Sequence, residues 1–394
     1  MESLNFKLQI LQDKLLKTDE SIKIMILGLG SVGHYLLDYL ISSANPRLEI
    51  IVVGRAYDKL ISDVNILKTA ATIRHQLRSK IHIEGDCDFE KIDDLIYVFS
   101  KWKPDFIVNT SRVYAGLKYG SISWSNLRAY GVWTPLSVKY AYNIMVAYKE
   151  TNSTAITINT SYSDAVIPWI KATGIPTFDF GSGNLNHLIP RIKFYIAEKF
   201  DIDSLDKIDV TLAASHFHDV VISKEGHAEG IDIPIIIKYN NKALEFDKEE
   251  LWRSCSIEMP TNQKRNMMNA SSNFEIIQAI LNAILTPRIE KIHSPGVMGL
   301  IGGYPIIING KNKVSAYIDD SAFSLNEMKE ANRKSIYLDG IESVSEEGLV
   351  YTEELLAKIK NKFNIKLPKK VNLDNIESVR NQLINDIIIP SISK

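Results

Sequence analysis

The sequence is poor in cysteine, in long apolar runs and in any excess of one charge. Its 394 residues include only Cys87 and Cys255, which excludes a disulfide framework. Lysine and arginine (46) balance aspartate and glutamate (47), so the charge indicates neither a nucleic-acid nor a membrane partner. No apolar segment reaches the length of a bilayer span, and residues 1–19 lack the apolar core of a signal peptide. These absences predict a cytoplasmic protein.

The most specific motif that is present is the glycine-rich sequence Gly28-Leu29-Gly30-Ser31-Val32-Gly33. It follows the apolar run Ile22 to Leu27 and precedes a helix-like stretch. A strand, a tight glycine turn and a helix N-terminus bind the pyrophosphate of a dinucleotide, because backbone N–H groups there point at the anion. The predicted cofactor-binding residues of this turn are therefore Gly28, Gly30, Ser31, Val32 and Gly33.

The second predicted strand, Leu48 to Val53, indicates which dinucleotide is bound. NAD-binding domains of this kind place an acidic residue at the end of that strand, where it binds the ribose 2′-hydroxyl. This chain has Gly54-Arg55 instead. A guanidinium pairs with a 2′-phosphate that a carboxylate would repel, so NADP(H) is favoured. The nearby Asp58 leaves NAD(H) open.

The length of the chain exceeds what one hydrophobic core usually organises, so we expect two domains. Residues 1–20 predict an amphipathic packing or subunit-contact helix, with Leu4, Leu8, Leu11 and Leu15 on one face. Residues 21–165 alternate strands and helices, which indicates an α/β fold with a doubly wound parallel sheet that binds the dinucleotide. Residues 166–334 predict an α+β substrate domain, and residues 335–394 a helical appendage.

Polar residues end two of the predicted parallel strands. Asn109 follows one strand and Asn159 follows another. Ligands of doubly wound sheets bind at the carboxyl ends of the strands. We therefore expect Asn109 and Asn159 to contribute to the cofactor site.

Several further segments resemble the lactate/malate dehydrogenase superfamily between about Ile22 and Arg333. The similar segments are Asn159 to Asp164, Trp169 to Gly174, Gly183 to Asn186, Ala214 to His216, Gly302 to Pro305 and Ser324 to Glu327. Their shared order and spacing carry the resemblance. It implies a Rossmann domain followed by the α+β substrate domain of that superfamily.

The resemblance also implies hydride transfer at a carbon that bears an oxygen, with a histidine exchanging the hydroxyl proton. His216 occupies the position of that histidine, and His218 is a nearby competitor. The family orients its histidine with an aspartate, but Asn186 stands at the matching position. Either the relay is weaker here or another carboxylate serves, with Asp164 and Asp219 as candidates.

Two further departures from the family concern the substrate. The arginine that binds the substrate carboxylate is replaced by Ile189, and Arg191 is the neighbouring cation. Arg128 is our candidate for the arginine that the family carries on its substrate-closing loop, with Arg112 and Lys118 as alternatives. The same loop is rich in aromatic residues, which indicates either a larger, partly apolar or ring-bearing substrate or packing between subunits: Tyr114, Tyr119 and Trp124.

Together these features predict an NADP(H)-dependent oxidoreductase with an altered substrate pocket and a small-molecule substrate. The resemblance further implies a homo-oligomer. One alternative keeps the fold but changes the reaction, to an opine-type enzyme or to an NAD- and metal-dependent glycosidase. The glycosidase would need ligands such as His216, His218 and Asp219, and we predict no metal site. The other alternative is a non-catalytic NAD(P)-binding protein, which the replacements Asn186 and Ile189 would suit.

Overall fold

A computed structural model describes residues 2–183, 185–260 and 262–392. The first domain contains alternating helices and strands. In chain order they are α1 (Glu2–Lys17), β1 (Ile22–Leu27), α2 (Ser31–Ser42), β2 (Leu48–Val53), α3 (Tyr57–Ile73), β3 (Lys80–Glu84), α4 (Ile92–Trp102), β4 (Phe106–Asn109), α5 (Gly116–Ile122), α6 (Thr134–Glu150), β5 (Ile156–Asn159), α7 (Ser163–Ala172) and β6 (Phe180–Gly181).

The six strands of this domain form one parallel sheet in the order β3-β2-β1-β4-β5-β6. β1 pairs with β2 from Ile22 opposite Leu48 to Leu27 opposite Val53, and with β4 on its other side. Helices cover both faces, so the central strands are almost continuously apolar. The strand order reverses between β1 and β4, which is where such sheets bind ligands. The predicted doubly wound sheet is confirmed.

The second domain is α+β, as the sequence predicts. Its elements are α8 (Leu185–Lys199), β7 (Ile208–Leu212), α9 (His216–Glu225), β8 (Ile235–Tyr239), β9 (Lys242–Ala243), α10 (Lys248–Ser254), α11 (Asn266–Leu285), β10 (Ile289–Pro295), β11 (Gly303–Asn309), β12 (Ser315–Ile318) and α12 (Leu325–Leu338). β7, β8 and β9 form one antiparallel sheet, and β10, β11 and β12 form another. None of the helices described in either domain has the length and apolarity to cross a membrane.

The end of the chain differs from the helical appendage that the sequence predicts. It comprises β13 (Ile341–Ser345), β14 (Gly348–Tyr351), α13 (Glu353–Phe363), β15 (Lys370–Val371), α14 (Ile376–Gln382) and α15 (Ile389–Ile392). The three strands form an antiparallel sheet, and the expected boundary at residue 335 falls inside α12.

We call residues 339–392 the C-terminal module. Its apolar side chains, among them Ile341 and Tyr351, join the same buried cluster as Trp133 and Ile144 of the first domain. The module is therefore part of the first domain's core. Its strands are only two to five residues long and carry charged residues, so their apolar periodicity is too short to predict a sheet.

Helix α1 closes the amino end of the parallel sheet. The four leucines of its predicted apolar face are buried, as expected for a packing helix: Leu4, Leu8, Leu11 and Leu15. Lys7 Nζ lies 2.8 Å from the Asp179 carboxylate, and Lys14 Nζ lies 2.7 Å from that of Asp105. Asp179 also accepts a hydrogen bond from the backbone N–H of Thr157, at 2.8 Å. The two ion pairs therefore fasten α1 to the segments that enter the sheet.

We expect Lys7→Met to lower the free energy of unfolding by about 3 kcal/mol, because it leaves the buried Asp179 carboxylate without its counter-ion. Lys17→Met is the matched control on the same helix, since Lys17 and its partner Asp13 are both exposed. That pair should contribute less than about 1 kcal/mol. Urea unfolding of both variants measures the difference, and equal losses would contradict a structural role for the Lys7 pair.

Candidate functional site

The glycine turn between β1 and α2 has the geometry that a dinucleotide pyrophosphate requires. Gly28 has φ +91°, a conformation that residues with a side chain rarely adopt. A Cβ on Gly33 would lie 2.3 Å from the Gly28 carbonyl oxygen, so only glycine fits there. Gly30 precedes α2 without a side-chain cap, and a Cβ placed on it would meet nothing within 4 Å. The space and the free N–H groups at this helix N-terminus fit a phosphate group.

Side chains from two other elements hold the turn in place. Thr110, directly after β4, donates its hydroxyl to the Gly28 carbonyl oxygen at 2.6 Å. Ser31, the first residue of α2, accepts a hydrogen bond from the Asn266 side chain at the start of α11. Val32 follows in the same helical turn and is partly buried. The N-termini of α2 and α11 therefore lie side by side.

Asn109 and Asn159 meet at the carboxyl edge of the sheet, as predicted. The Asn109 amide donates to the Asn159 side-chain oxygen at 2.9 Å, and both residues are fully buried. Asn109 also accepts hydrogen bonds from the backbone and hydroxyl of Ser111. Within this structure the two asparagines hold the loops around the switch point, and cofactor contact by either one stays a prediction.

Arg55 lies on the surface just beyond the carboxyl end of β2. It is exposed and makes no hydrogen bond or ion pair with any residue that the structure describes. Asp58, in the first turn of α3, is exposed as well. Both side chains are therefore free to meet a ligand at the sheet edge.

His216 is the first residue of α9 and is almost completely buried. Its Nδ1 lies 2.9 Å from a carboxylate oxygen of Asp339. Its backbone N–H donates to the Asp164 carboxylate at 3.0 Å, which ties the histidine to the segment after β5. Nε2 has no hydrogen-bond partner among the described residues, so it is the ring nitrogen left for a substrate.

The Asp339 carboxylate has further donors and is completely buried. It accepts a hydrogen bond from the backbone N–H of Tyr130 at 2.6 Å and another from the Tyr162 hydroxyl at 2.7 Å. Burial alone would lower the pKa of His216, but the attraction of Asp339 and its hydrogen bond outweigh burial, so the pKa is raised. Burial raises the pKa of the neighbouring Asp164 to about 6. The site therefore favours a protonated imidazole.

The sequence pointed to other partners for this histidine. Asn186, at the position of the family's aspartate, donates its amide to Ser272 and Glu275 on α11, each at 2.8 Å. Asp164 binds the main chain of His216 rather than its ring. Asp219 lies 3.6 Å from the His187 ring. Asp339 supplies the carboxylate instead. It lies beyond Arg333, where the resemblance ends, so no motif singled it out.

His218 has a different environment from that of His216. Its Nδ1 lies 2.6 Å from the Ser335 hydroxyl, and its Nε2 lies 3.2 Å from the Ala228 carbonyl oxygen. Burial lowers the pKa of His218 to about 4. Both ring nitrogens are thus used within the protein, and His218 neither competes as the proton carrier nor offers a free nitrogen to a metal.

The three cations predicted for the substrate-closing loop lie in different environments. Arg128 forms ion pairs with Glu225 and Glu229. The Arg112 guanidinium donates to the Tyr130 hydroxyl at 2.9 Å. Lys118 is exposed. Because the ring centroid of Tyr130 lies 4.7 Å from that of His216, Arg112 is the loop cation that the structure connects to the histidine.

The C-terminal module fixes the end of this loop. Gly131 donates its N–H to the Asp339 carbonyl oxygen at 2.8 Å, and the Tyr351 hydroxyl donates to the Val132 carbonyl oxygen at 3.0 Å. The loop aromatics pack inside the chain, with Tyr119 against Trp133 and Trp124 against Phe217. The segment that leads into α6 is therefore held in one place by hydrogen bonds and packing.

No protein-family model and no curated protein matches this chain. Its structure is similar to that of malate dehydrogenase from Aeropyrum pernix, with a TM-score of 0.52 at 16% identity, over 79% of this chain and 97% of that one. It is also similar to lactate dehydrogenase from Eimeria maxima, which was solved with NADH and oxamate. That match has a TM-score of 0.50 at 13% identity and covers 82% of this chain and 93% of that one. The resemblance predicted from the motifs is confirmed at the level of the fold.

We expect Asp339→Asn to bring the pKa of His216 below the ordinary value of 6.5, because burial then outweighs the remaining attraction. In the unmodified protein, the contribution of His216 to stability is complete below pH 6.5 and is lost as the pH rises through the raised pKa. NMR titration of labelled histidines measures the change. His218 is the internal control, neutral at pH 7 in both proteins. An unaltered His216 titration would contradict the pairing.

Proposed function

We propose that this protein is an oxidoreductase that transfers a hydride between NADP(H) and a hydroxyl or keto carbon of a small molecule. The observation that carries the proposal is the His216–Asp339 pair. The backbone of His216 is hydrogen-bonded to Asp164, which follows β5 at the carboxyl edge of the parallel sheet. The glycine turn with room for a pyrophosphate lies at the same edge. The shared fold with malate and lactate dehydrogenases supports the same reaction class.

The nicotinamide would supply or accept the hydride when bound. His216 would give the proton from Nε2 to the oxygen of the substrate during carbonyl reduction and take it back in the reverse direction. Asp339 accepts a hydrogen bond from the Nδ1–H group of His216, which orients the ring and stabilises the imidazolium. The Tyr130 ring packs against the imidazole of His216, and its hydroxyl accepts a hydrogen bond from Arg112. Tyr130 therefore restricts the motion of His216 and of Arg112.

The choice of NADP(H) over NAD(H) rests on Arg55. This guanidinium lies just beyond the second strand and forms no hydrogen bond or ion pair with the described residues. A 2′-phosphate there would accept two parallel hydrogen bonds from it. Asp58 is the group through which NAD(H) would compete. The ligand named with the lactate dehydrogenase neighbour is NADH, so the proposed preference for NADP(H) rests only on this chain's own residues.

The non-catalytic alternative loses its main support. It depended on Asn186 in place of the family's aspartate, and Asp339 provides a carboxylate from another part of the chain. Ile189 remains a departure, because an isoleucine cannot bind a substrate carboxylate. We therefore propose an active enzyme with an altered substrate pocket that binds no substrate carboxylate at residue 189. The loop aromatics that favoured a larger substrate pack inside the chain and do not support one. We also propose that it acts in the cytoplasm as a homo-oligomer, from its composition and from the resemblance.

We expect a screen of 2-oxo acids, aldehydes and ketones to identify a compound that is reduced with NADPH. With that compound, His216→Ala should lower kcat by about 10²- to 10⁴-fold while NADPH binding is kept, because the proton donor alone is removed. His227→Ala is the matched control, a half-exposed histidine of the same domain. Unchanged turnover in His216→Ala would exclude His216 as the acid.

We expect Arg55→Asp to weaken NADPH binding by about 10- to 100-fold, which corresponds to one charge-assisted contact. NADH binding should change much less, because NADH lacks the 2′-phosphate. Fluorescence titration with both cofactors measures the two constants. Lys59→Asp, an exposed lysine on α3, controls for the change in net charge. Equal losses for NADPH and NADH would remove the argument for a 2′-phosphate site.

A further inference from the structure

Helices α8 and α9 pack against each other, and each contributes two buried polar side chains. His187 and Arg191 are one turn apart on α8, and Asp219 and Ser223 are one turn apart on α9. All four are buried, with exposed fractions of 8%, 2%, 3% and 7%. We call these four residues the α8–α9 polar cluster. Asp219 also lies one helical turn after His216, which places the cluster beside the proposed acid.

Each member of the cluster has one buried polar atom without a hydrogen-bond partner among the described residues. These atoms are His187 Nε2, Arg191 Nε, Asp219 Oδ1 and Ser223 Oγ. A buried polar atom left unpaired costs about 1–3 kcal/mol. Such atoms are few in the described part of the chain, so four of them between two helices indicate a group that the protein alone does not provide.

The contacts that the cluster does make are weak. His187 Nδ1 lies 3.6 Å from the nearer Asp219 oxygen, beyond hydrogen-bond distance. One Arg191 nitrogen donates to the Met259 sulfur at 3.2 Å, and sulfur is a poor acceptor. A stronger contact is the one between Arg191 and the Cys255 carbonyl oxygen, at 2.8 Å, which anchors the guanidinium. A ligand entering the cluster would therefore replace only weak contacts.

The unpaired atoms form one accepting layer and one donating layer. In the first layer, His187 Nδ1 faces the Asp219 carboxylate and so carries the ring proton, which leaves His187 Nε2 and Asp219 Oδ1 as the two unpaired acceptors. In the second layer, Arg191 Nε and the Ser223 hydroxyl are donors. A ligand that satisfies both layers must donate at one end and accept at the other.

The charges of the cluster agree with this order. Arg191 forms no ion pair with any described carboxylate, and the His187 ring, at 3.6 Å, is the one ionisable group of the described residues within ion-pair distance of the buried Asp219 carboxylate. Arg265 adds a second positive charge near Arg191. A simple carboxylate ligand would leave the negative charge of Asp219 without a counter-charge. A neutral polyol would leave both Asp219 and Arg191 without one, and each uncompensated buried charge costs several kcal/mol.

We propose that the α8–α9 polar cluster binds a zwitterionic amino-acid group of the substrate, with the ammonium group against Asp219 and His187 and the carboxylate against Arg191 and Ser223. The replacement of the family's substrate arginine by Ile189 agrees with a carboxylate bound elsewhere. That the group belongs to the substrate rests on the proposed function. That the cluster binds a zwitterionic amino-acid group is a separate claim, and a binding measurement tests it without any assay of turnover.

The test is isothermal titration of the NADP⁺-saturated protein, which cannot reduce a 2-oxo acid, with matched pairs of compounds: L-alanine and pyruvate, and L-glutamate and 2-oxoglutarate, with glycerol as the neutral probe. We expect at least one amino acid to bind at least about 10-fold more tightly than its 2-oxo acid, because only the amino acid pairs with both buried charges. Tighter binding of the 2-oxo acids or of glycerol, or binding of none of these compounds, overturns the proposal.

Variants assign the binding to the cluster. Asp219→Asn and Ser223→Ala should each weaken amino-acid binding by about 10-fold or more, since each removes a single partner and little volume. Ser254→Ala, an exposed serine on α10, is the control for Ser223→Ala. If both cluster variants fold and bind like the unmodified protein, the amino acid binds elsewhere and the proposal is wrong.

His216→Ala separates this proposal from the proposed function. It should keep amino-acid binding, because His216 is not a member of the cluster, while it loses turnover. Full turnover with His216→Ala would sink the proposed reaction and leave the binding site standing. Loss of binding in the cluster variants with no binding change in His216→Ala would support the site by itself.

Discussion

The buried Asp339 carboxylate is the group on which the arrangement of the site depends. It accepts hydrogen bonds from the Tyr130 backbone, the Tyr162 hydroxyl and the His216 ring. These donors come from the loop before α6, from the segment after β5 and from the second domain. A buried charge is stable only when it is paired and hydrogen-bonded, so the three segments must converge on it. The carboxylate therefore sets the position of the histidine and the meeting of the two domains at the same time.

Much of this architecture could be predicted from the sequence because it depends on local patterns. The glycine turn and the apolar parallel strands each have a signature within a few residues. Gly28 and Gly33 are fixed by a positive φ and a close backbone contact, which only glycine satisfies. The fold class follows from such patterns, whereas the assignment of His216 comes from the resemblance of several segments, in order, to one superfamily.

The rest could not be predicted because it depends on contacts between distant segments. Asp339 is 123 residues from His216, and an aspartate after a helix is ordinarily an exposed residue. The strands of the C-terminal module are too short for their periodicity to be read, and their burial comes from packing against the first domain. Asn186 is a further example of a contact between distant segments. Its position in a motif did not reveal that its side-chain amide donates a hydrogen bond to Ser272 on α11.

The position of Asp339 near the end of the chain also has a consequence for biosynthesis. The parallel sheet and the second domain are translated first, and domains generally fold as units in that order. The carboxylate that pairs with His216, and the strands of the C-terminal module, leave the ribosome after both. A nascent chain interrupted before residue 339 holds the strands of the parallel sheet but lacks part of the first domain's core, and its His216 is unpaired. Synthesis of residues 339–392 is thus itself the step that assembles the acid–base pair.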